Sequence, residues 1–123
     1  GATNTAKANE GSIRRELLEN KISLGLPEVS QGMNGVHLSA GPVEALIELR
    51  RYNSDFRNEN KIINYENFSF GKELYKNFSD DIVSRILEND NLVINNKNVS
   101  IFEYTEEMNS DEALQLLSQF YRK

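Results

Sequence analysis

The sequence lacks cysteine and tryptophan, and it holds one histidine and two prolines in 123 residues. Without cysteine, disulfide bonds and thiolate metal sites are excluded. With one histidine, a zinc site would need mostly carboxylate ligands, which is uncommon, so we expect no metal and no cofactor. No apolar run approaches the roughly 20 residues of a membrane helix, and no signal peptide is visible. We therefore expect no membrane interaction.

The remaining composition is typical of a folded domain, with 38% hydrophobic and 27% charged residues. We expect a flexible lead-in over residues 1–10 and a single globular domain over residues 11–123. The chain starts with Gly1 and not with methionine, which favours an excised domain or a tag remnant. Its end, Phe120 to Lys123, has the character of a natural C-terminus.

The net charge of −5 counts against a general nucleic-acid binder, because phosphate binding normally needs a basic face. The charge is unevenly placed. Residues 11–65 carry seven basic and seven acidic side chains, whereas residues 66–123 carry six basic and eleven acidic ones. The first half can therefore hold a local basic patch, and the second half is typical of a solvated or partner-facing acidic surface.

The most informative stretch runs from Met33 to Asn53. Gly35 to Leu38 alternates like a short strand, residues 39–41 form a turn, and Pro42 opens a helix, where its missing N–H needs no partner. Helix 42–53 has an apolar stripe, glutamates in its first turns and arginines in its last, so its charges agree with the helix dipole.

The remaining chain predicts short helices and a small sheet. Ser12 caps a first helix that Gly25 stops, and Asn109 caps the last helix with Glu112 completing a capping box. The segments predicted as strands are 61–65, 67–70, 92–94 and 99–104, and those predicted as helices include 71–78 and the stretch that follows Ser79. The last two strands form a hairpin around Asn95 to Asn98. The fold class is therefore α+β, with several amphipathic helices and a small antiparallel sheet that includes a hairpin near 92–104.

His37 is the one side chain whose ordinary pKa suits proton transfer near neutrality. With Ser39 and the backbone amides at the start of helix 42–53, it can bind and process a phosphate. Positive charge for the phosphate is predicted to come from Arg14, Arg15, Arg50, Arg51 and Lys61. The alternatives are a structural histidine and solvated helix faces, and a serine-hydrolase reading fails because no nucleophile elbow is present.

Five carboxylates near the C-terminus form an acidic cluster: Glu103, Glu106, Glu107, Asp111 and Glu112. Their spacing does not match a calcium loop, so a solvated surface or a docking surface for a basic partner is the better interpretation.

The segment from Ala8 to Glu16, which contains Ser-Ile-Arg-Arg-Glu, resembles the opening of C-terminal toxin domains in bacterial contact-dependent inhibition (polymorphic toxin) proteins. In the metal-dependent nuclease branch of these toxins, Glu16 would correspond to an active-site glutamate. However, this chain has no later strand that pairs an Asp with a Glu-x-Lys. The resemblance therefore favours a metal-independent ribonuclease that acts on tRNA and is neutralised by an immunity protein.

The sequence thus leads to two hypotheses. The first is an antibacterial effector domain with ribonuclease activity on tRNA, in which His37 acts as general acid or base. The second is a non-enzymatic acidic module, such as an immunity protein or inhibitor, that covers a basic partner. Both predict a location in the cytoplasm of a target or producing bacterial cell, the first after delivery as part of a larger secreted protein.

Overall fold

The computed structural model describes residues 3–121, and the chain divides after Leu38 into two units. This division differs from the sequence prediction, which placed a boundary after residue 10. Residues 3–10 contain a turn of 3-10 helix, Thr5–Lys7, in which Thr5 is only 3% exposed, so this part of the lead-in is folded. Its flexibility stays a prediction, as do the statements about both chain ends, since residues 1–2 and 122–123 lie outside the described part.

The first unit is built around the short helix α1 (Ile13–Glu19). Ser12 caps it as predicted, because the Ser12 hydroxyl accepts a hydrogen bond from the amide of Arg15 at 3.4 Å. The helix ends six residues before Gly25, and turns follow it. None of its residues is buried, and the side chains of Ile13 and, in the turns that follow, Ile22 are 71% and 87% exposed. Helical spacing is present in this unit, but α1 itself contributes no buried side chain.

The strand predicted for Gly35 to Leu38 is wrong, since this segment is irregular. The amide of Val36 donates to the side chain of Asn34 at 3.0 Å, and the carbonyl of Val36 accepts from the guanidinium of Arg14 at 3.3 Å. Side chains therefore take the hydrogen bonds that a neighbouring strand would otherwise provide.

The second unit contains the hydrophobic core. Its elements are α2 (Pro42–Asn53), α3 (Ser69–Asn77), α4 (Asp80–Leu87), β1 (Asn91–Ile94), β2 (Lys97–Ser100), α5 (Ile101–Tyr104) and α6 (Ser110–Phe120). Helix α2 contacts α3, α4 and α5, and α3 also contacts α6. The most deeply buried side chains include Leu46, Leu74, Ile86 and Leu117. The predicted α+β class is confirmed.

Local signals placed several of these elements correctly. Helix α2 has the predicted ends, and Asn109 and Glu112 form the predicted capping box at the start of α6, with two hydrogen bonds of 2.9 Å. The predicted hairpin is also confirmed. Asn95 and Asn96 form its turn at φ of 50° and 62°, which asparagine tolerates better than most residues.

The second hairpin strand is shorter than predicted, because it ends at Ser100 and the chain turns into α5. The Ser100 hydroxyl caps α5, and the amide of Phe102 donates to the side chain of Asn89 at 2.8 Å. This turn places Ile101 in the core, where it is fully buried. The predicted strand 99–104 is therefore wrong over residues 101–104.

The strands predicted for 61–65 and 67–70 are also wrong. The chain forms 3-10 turns at Glu59–Lys61 and Tyr65–Asn67, and α3 starts at Ser69. Gly71 of α3 packs so closely on the second turn that a Cβ there would lie 1.9 Å from the carbonyl oxygen of Tyr65. The aromatic residues Tyr65, Phe68 and Phe70 pack on the helical core and not in a sheet.

Candidate functional site

The start of α2, where the sequence predicted a phosphate site, carries two carboxylates. Glu44 accepts a hydrogen bond from the amide of Ala40 at 2.6 Å, and Glu48 accepts one from the hydroxyl of Ser39. Both acids agree with the helix dipole, but they also place negative charge beside the amides expected to meet a phosphate. Ser39 is thus held by Glu48 at the beginning of the helix.

His37 is an exposed residue of the first unit, two positions before the division, and Ser39 belongs to the second unit. The segment around His37 is irregular, so His37 does not lie in the short strand that the sequence predicted. Its exposure suits a group that exchanges a proton with a substrate.

Arg14 and Arg15 both contact backbone within the first unit. Arg14 donates to the carbonyl of Val36, and Arg15 donates to the carbonyl of Ala6 at 2.9 Å. Arg15 also pairs with Glu19 one turn later, and this hydrogen bond raises the pKa of Arg15. The two guanidinium groups therefore use some of their N–H donors to stabilise the backbone of the first unit.

Arg50 plays a similar role in the second unit. Its Nε donates to the carbonyl of Ile63 at 3.0 Å, and its guanidinium carbon lies 4.7 Å from the ring centroid of Tyr65 and 5.4 Å from that of Phe56. These distances are within the range of cation–π contacts. Arg50 thus clamps the segment after α2 against the end of the helix.

The clamped segment, residues 54–63, is a closed loop. The Ser54 hydroxyl accepts from the amide of Ile63 at 2.9 Å, and the amide of Asp55 donates to the carbonyl of Lys61 at 3.2 Å. Asp55 also pairs with Arg57 at 3.2 Å. These bonds bring the two ends of the loop together and fix its tip, so we call residues 54–63 the clamped loop.

The clamped loop and the last turn of α2 present cations and aromatic rings to solvent. Tyr52 is 73% exposed and Phe56 53%, and the side chain of Arg57 is 94% exposed. Arg51 and Lys61 are exposed as well. These five residues are exposed within the chain segment 51–61, and we call them the aromatic–basic surface: Arg51, Tyr52, Phe56, Arg57 and Lys61. Residues 50–61 carry four cations and two carboxylates, a local excess of +2 in a chain of net charge −5.

This surface joins two predicted binding residues, Arg51 and Lys61, to three that the sequence reasoning missed. Tyr52 lies at the end of α2, and Phe56 and Arg57 lie in the loop that follows it. The available signal was the alternation of arginine with aromatic residues in Arg50-Arg51-Tyr52 and Phe56-Arg57. Arg50 supports the surface from within, and Arg14 and Arg15 belong to the other unit.

A second cluster of charged and aromatic groups has a structural role. Arg85 pairs with Asp90 at 2.6 Å, and the hydroxyl of Tyr121 donates to the same carboxylate at 3.3 Å. The hydrogen bond from Arg85 lowers the pKa of Asp90, and burial raises the pKa of Tyr121. This cluster ties the residue after α6 to the turn between α4 and β1.

The predicted acidic cluster is exposed at all five positions. One carboxylate oxygen of Glu112 accepts the hydrogen bond of the capping box from the amide of Asn109. Among residues 3–121, no group of three or more histidines and carboxylates is arranged to hold a metal ion. No helix in the same range is long and apolar enough to cross a membrane.

Comparison with known proteins gives no match, whether to a protein-family model, to a curated protein or to a solved structure.

Proposed function

We propose that this chain is an antibacterial effector domain with ribonuclease activity and that its substrate is tRNA. The observation that carries the proposal is the aromatic–basic surface, an exposed group of cations and rings in a chain that is acidic overall. A net-negative protein that binds RNA must concentrate its positive charge locally, because each phosphate contact displaces a counterion. The toxin-like opening around Arg14 and Arg15 supports the effector role.

The proposed reaction needs no metal. A general base takes the proton of a ribose 2′-hydroxyl, whose oxygen attacks the adjacent phosphorus, and a general acid protonates the departing 5′-oxygen. His37 supplies one of these groups, and since the chain has no second histidine, the other must be a carboxylate, tyrosine or lysine. In this proposal no step is assigned to Ser39, because its hydroxyl already donates to the carboxylate of Glu48.

RNA binding is assigned to the second unit and proton transfer to His37, and each assignment has its own test. The first test is inducible expression of the whole chain in bacteria, with growth recorded and total RNA separated on a gel. We expect growth arrest and discrete tRNA fragments. His37→Ala should abolish both while the purified variant keeps the wild-type circular dichroism spectrum, and full toxicity of this variant would remove His37 from the mechanism.

The second test reverses charge on the surface. Arg57→Glu with Lys61→Glu should weaken tRNA binding by orders of magnitude at low salt and flatten its salt dependence. The matched control, Lys72→Glu with Lys97→Glu, makes the same change in net charge at exposed lysines of α3 and β2. Equal loss in both double variants would show that only net charge matters and would contradict a localised RNA surface.

The alternative function, an acidic module that covers a basic partner, is favoured by one observation. All five carboxylates of the acidic cluster are exposed, and residues 103–112 contain no cation. Healthy cells with intact RNA after expression, together with a partner captured by the wild type and lost at high salt, would replace the ribonuclease proposal with this one.

A further inference from the structure

The aromatic–basic surface holds two features that a purely electrostatic RNA contact does not need. Tyr52 and Phe56 are more than half exposed, although burial of a large aromatic side chain stabilises a folded protein. Both are flanked in sequence by an arginine, Arg51 for the first and Arg57 for the second. Phosphate binding accounts for the arginines but not for the rings.

The ring of Phe56 is held in place although it is exposed. Arg50 lies 5.4 Å from its centroid, and that same guanidinium is fixed by the carbonyl of Ile63 and the ring of Tyr65. The clamped loop is closed on both sides of Phe56 by the bonds from Asp55 and Ser54. A ring that is already positioned loses little conformational freedom when a ligand stacks on it, which favours binding.

Planar rings beside cations are the combination that binds single-stranded nucleic acid, since bases stack on the rings while phosphates meet the cations. The base faces of a duplex are covered by neighbouring base pairs and are not available for such stacking. A duplex would therefore meet Arg51, Arg57 and Lys61 but gain nothing from Tyr52 or Phe56.

We propose that Tyr52 and Phe56 stack on unpaired bases of the RNA, so that the substrate is recognised at a single-stranded segment or loop. This inference rests on the proposed function, because it specifies which part of the RNA the ribonuclease binds. The rings supply stacking energy, the neighbouring cations supply phosphate contacts, and the Arg50 clamp keeps Phe56 oriented.

The test measures binding of the whole chain to a fluorescent 2′-O-methyl oligonucleotide of about 12 nucleotides, within the range of site sizes for such proteins. This probe lacks the 2′-hydroxyl, so cleavage cannot disturb the measurement. The same strand paired with its complement is the duplex probe. Phe56→Leu keeps an apolar side chain without the ring, Tyr52→Ala removes the second ring, and Phe120→Leu is the control at an exposed aromatic of α6.

We expect Phe56→Leu and Tyr52→Ala each to weaken single-strand binding by about 5- to 100-fold and to change duplex binding by less than about twofold. Phe120→Leu should leave both affinities unchanged. Phe56→Trp, which restores a ring, should recover single-strand binding. As a direct signature, a 2-aminopurine base in the single strand should lose fluorescence on binding the wild type and keep it on binding Phe56→Leu.

Unchanged single-strand affinity in both ring variants, or equal losses for single strand and duplex, would overturn the inference. It would also be overturned if the ring variants changed the oligomeric state of the chain, measured by sedimentation, since the rings would then serve a protein contact. RNA cleavage in cells without ring-dependent binding would leave the proposed function standing and reject this inference. Ring-dependent binding without any RNA cleavage would support this inference and reject the proposed ribonuclease activity.

Discussion

The two units of this chain differ in how their backbone and side chains are stabilised. In the second unit, from Ser39 onward, helices bury fully enclosed side chains such as Leu46 and Leu117. In the first unit, helix α1 buries no residue, and order comes from polar contacts such as those of Asn34 and Arg14. Because hydrophobic burial is the dominant favourable term in folding, we expect the second unit to carry most of the stability.

The difference also bears on function. The aromatic–basic surface lies on the second unit, where the clamped loop has a stable helix beneath it, whereas His37 lies in an irregular segment of the first. Binding surfaces are most precise when a packed element supports them. The following predictions test the contrast between the two units, from the largest expected effect to the smallest.

The largest effect is expected in the core. Leu74→Ala removes a fully buried side chain of α3 and should lower the free energy of unfolding by about 2–5 kcal/mol, through lost burial and the cavity left behind. Ile22→Ala, at an 87% exposed position of the first unit, should stay within about 0.5 kcal/mol. Guanidinium denaturation followed by circular dichroism measures both, and similar losses would mean that the first unit has a core of its own.

A close backbone contact should give the next largest effect. Gly71→Ala forces a methyl group against the carbonyl of Tyr65, so we expect a loss of about 1–3 kcal/mol in the free energy of unfolding. Gly32→Ala is the matched control, because a Cβ there meets no atom within 4 Å. Thermal unfolding compares the two variants. A neutral Gly71→Ala would show that the turn at Tyr65–Asn67 does not pack on α3 as described.

Removal of a helix cap should lower stability by a smaller amount, and the loss should differ between the two units. Asn109→Ala breaks the capping box of α6 and should cost about 1 kcal/mol. Ser12→Ala removes the cap of α1 but should change global stability less, because no residue of α1 itself is buried. Amide hydrogen exchange provides the readout, with weak protection expected in α1 and strong protection in α6. Equal protection in the two helices would contradict the prediction that the first unit is less stable than the second.

The smallest effect concerns pH and the pair of Arg85 with Asp90. The pKa of Asp90 is lowered in the folded protein, so the pair's stabilisation is present above the unfolded pKa near 4 and is lost as the pH falls through the lower folded value. The pKa of Tyr121 is raised in the folded protein, so its effect appears at alkaline pH. Its stabilisation is present below the unfolded pKa of about 10 and is lost as the pH rises through the higher folded value.

Asp90→Asn should therefore make thermal stability fall less steeply between pH 5 and pH 3 than in the wild type, since one carboxylate with a lowered pKa is gone. Asp111→Asn removes an exposed carboxylate outside this pair and serves as the control. If the two variants follow the same pH curve, the pair does not contribute to acid stability.

Elements with strong local signals were predictable from the sequence. Pro42 fixed the start of α2, the Asn109 and Glu112 pair fixed the start of α6, and the asparagines at 95–96 fixed the hairpin turn. In each case the deciding hydrogen bond or dihedral angle lies within a few residues of the signal, so no distant partner is needed. The α+β class followed from these elements.

Three of the wrongly predicted strands share a physical cause, whereas the segment 67–70 is replaced by the start of α3. At Val36, Ile63 and Phe102, a side chain from elsewhere takes the backbone group that a strand would have paired: Arg14 and Asn34 at the first, Ser54 and Arg50 at the second, and Asn89 at the third. Apolar and β-branched residues favour a strand only if a partner strand is present. The sequence pattern of one segment does not show whether such a partner strand is present.

The sequence alone determined the composition, the charge division and the locally coded helices and hairpin, because these depend on neighbouring residues. The tertiary structure decided which cations remain at the surface, since Arg50 becomes an internal clamp while Arg51 and Lys61 stay exposed. It also decided where Phe56 lies, because closure of the 54–63 loop depends on the hydrogen bonds that join Ser54 to Ile63 and Asp55 to Lys61, which no local pattern encodes.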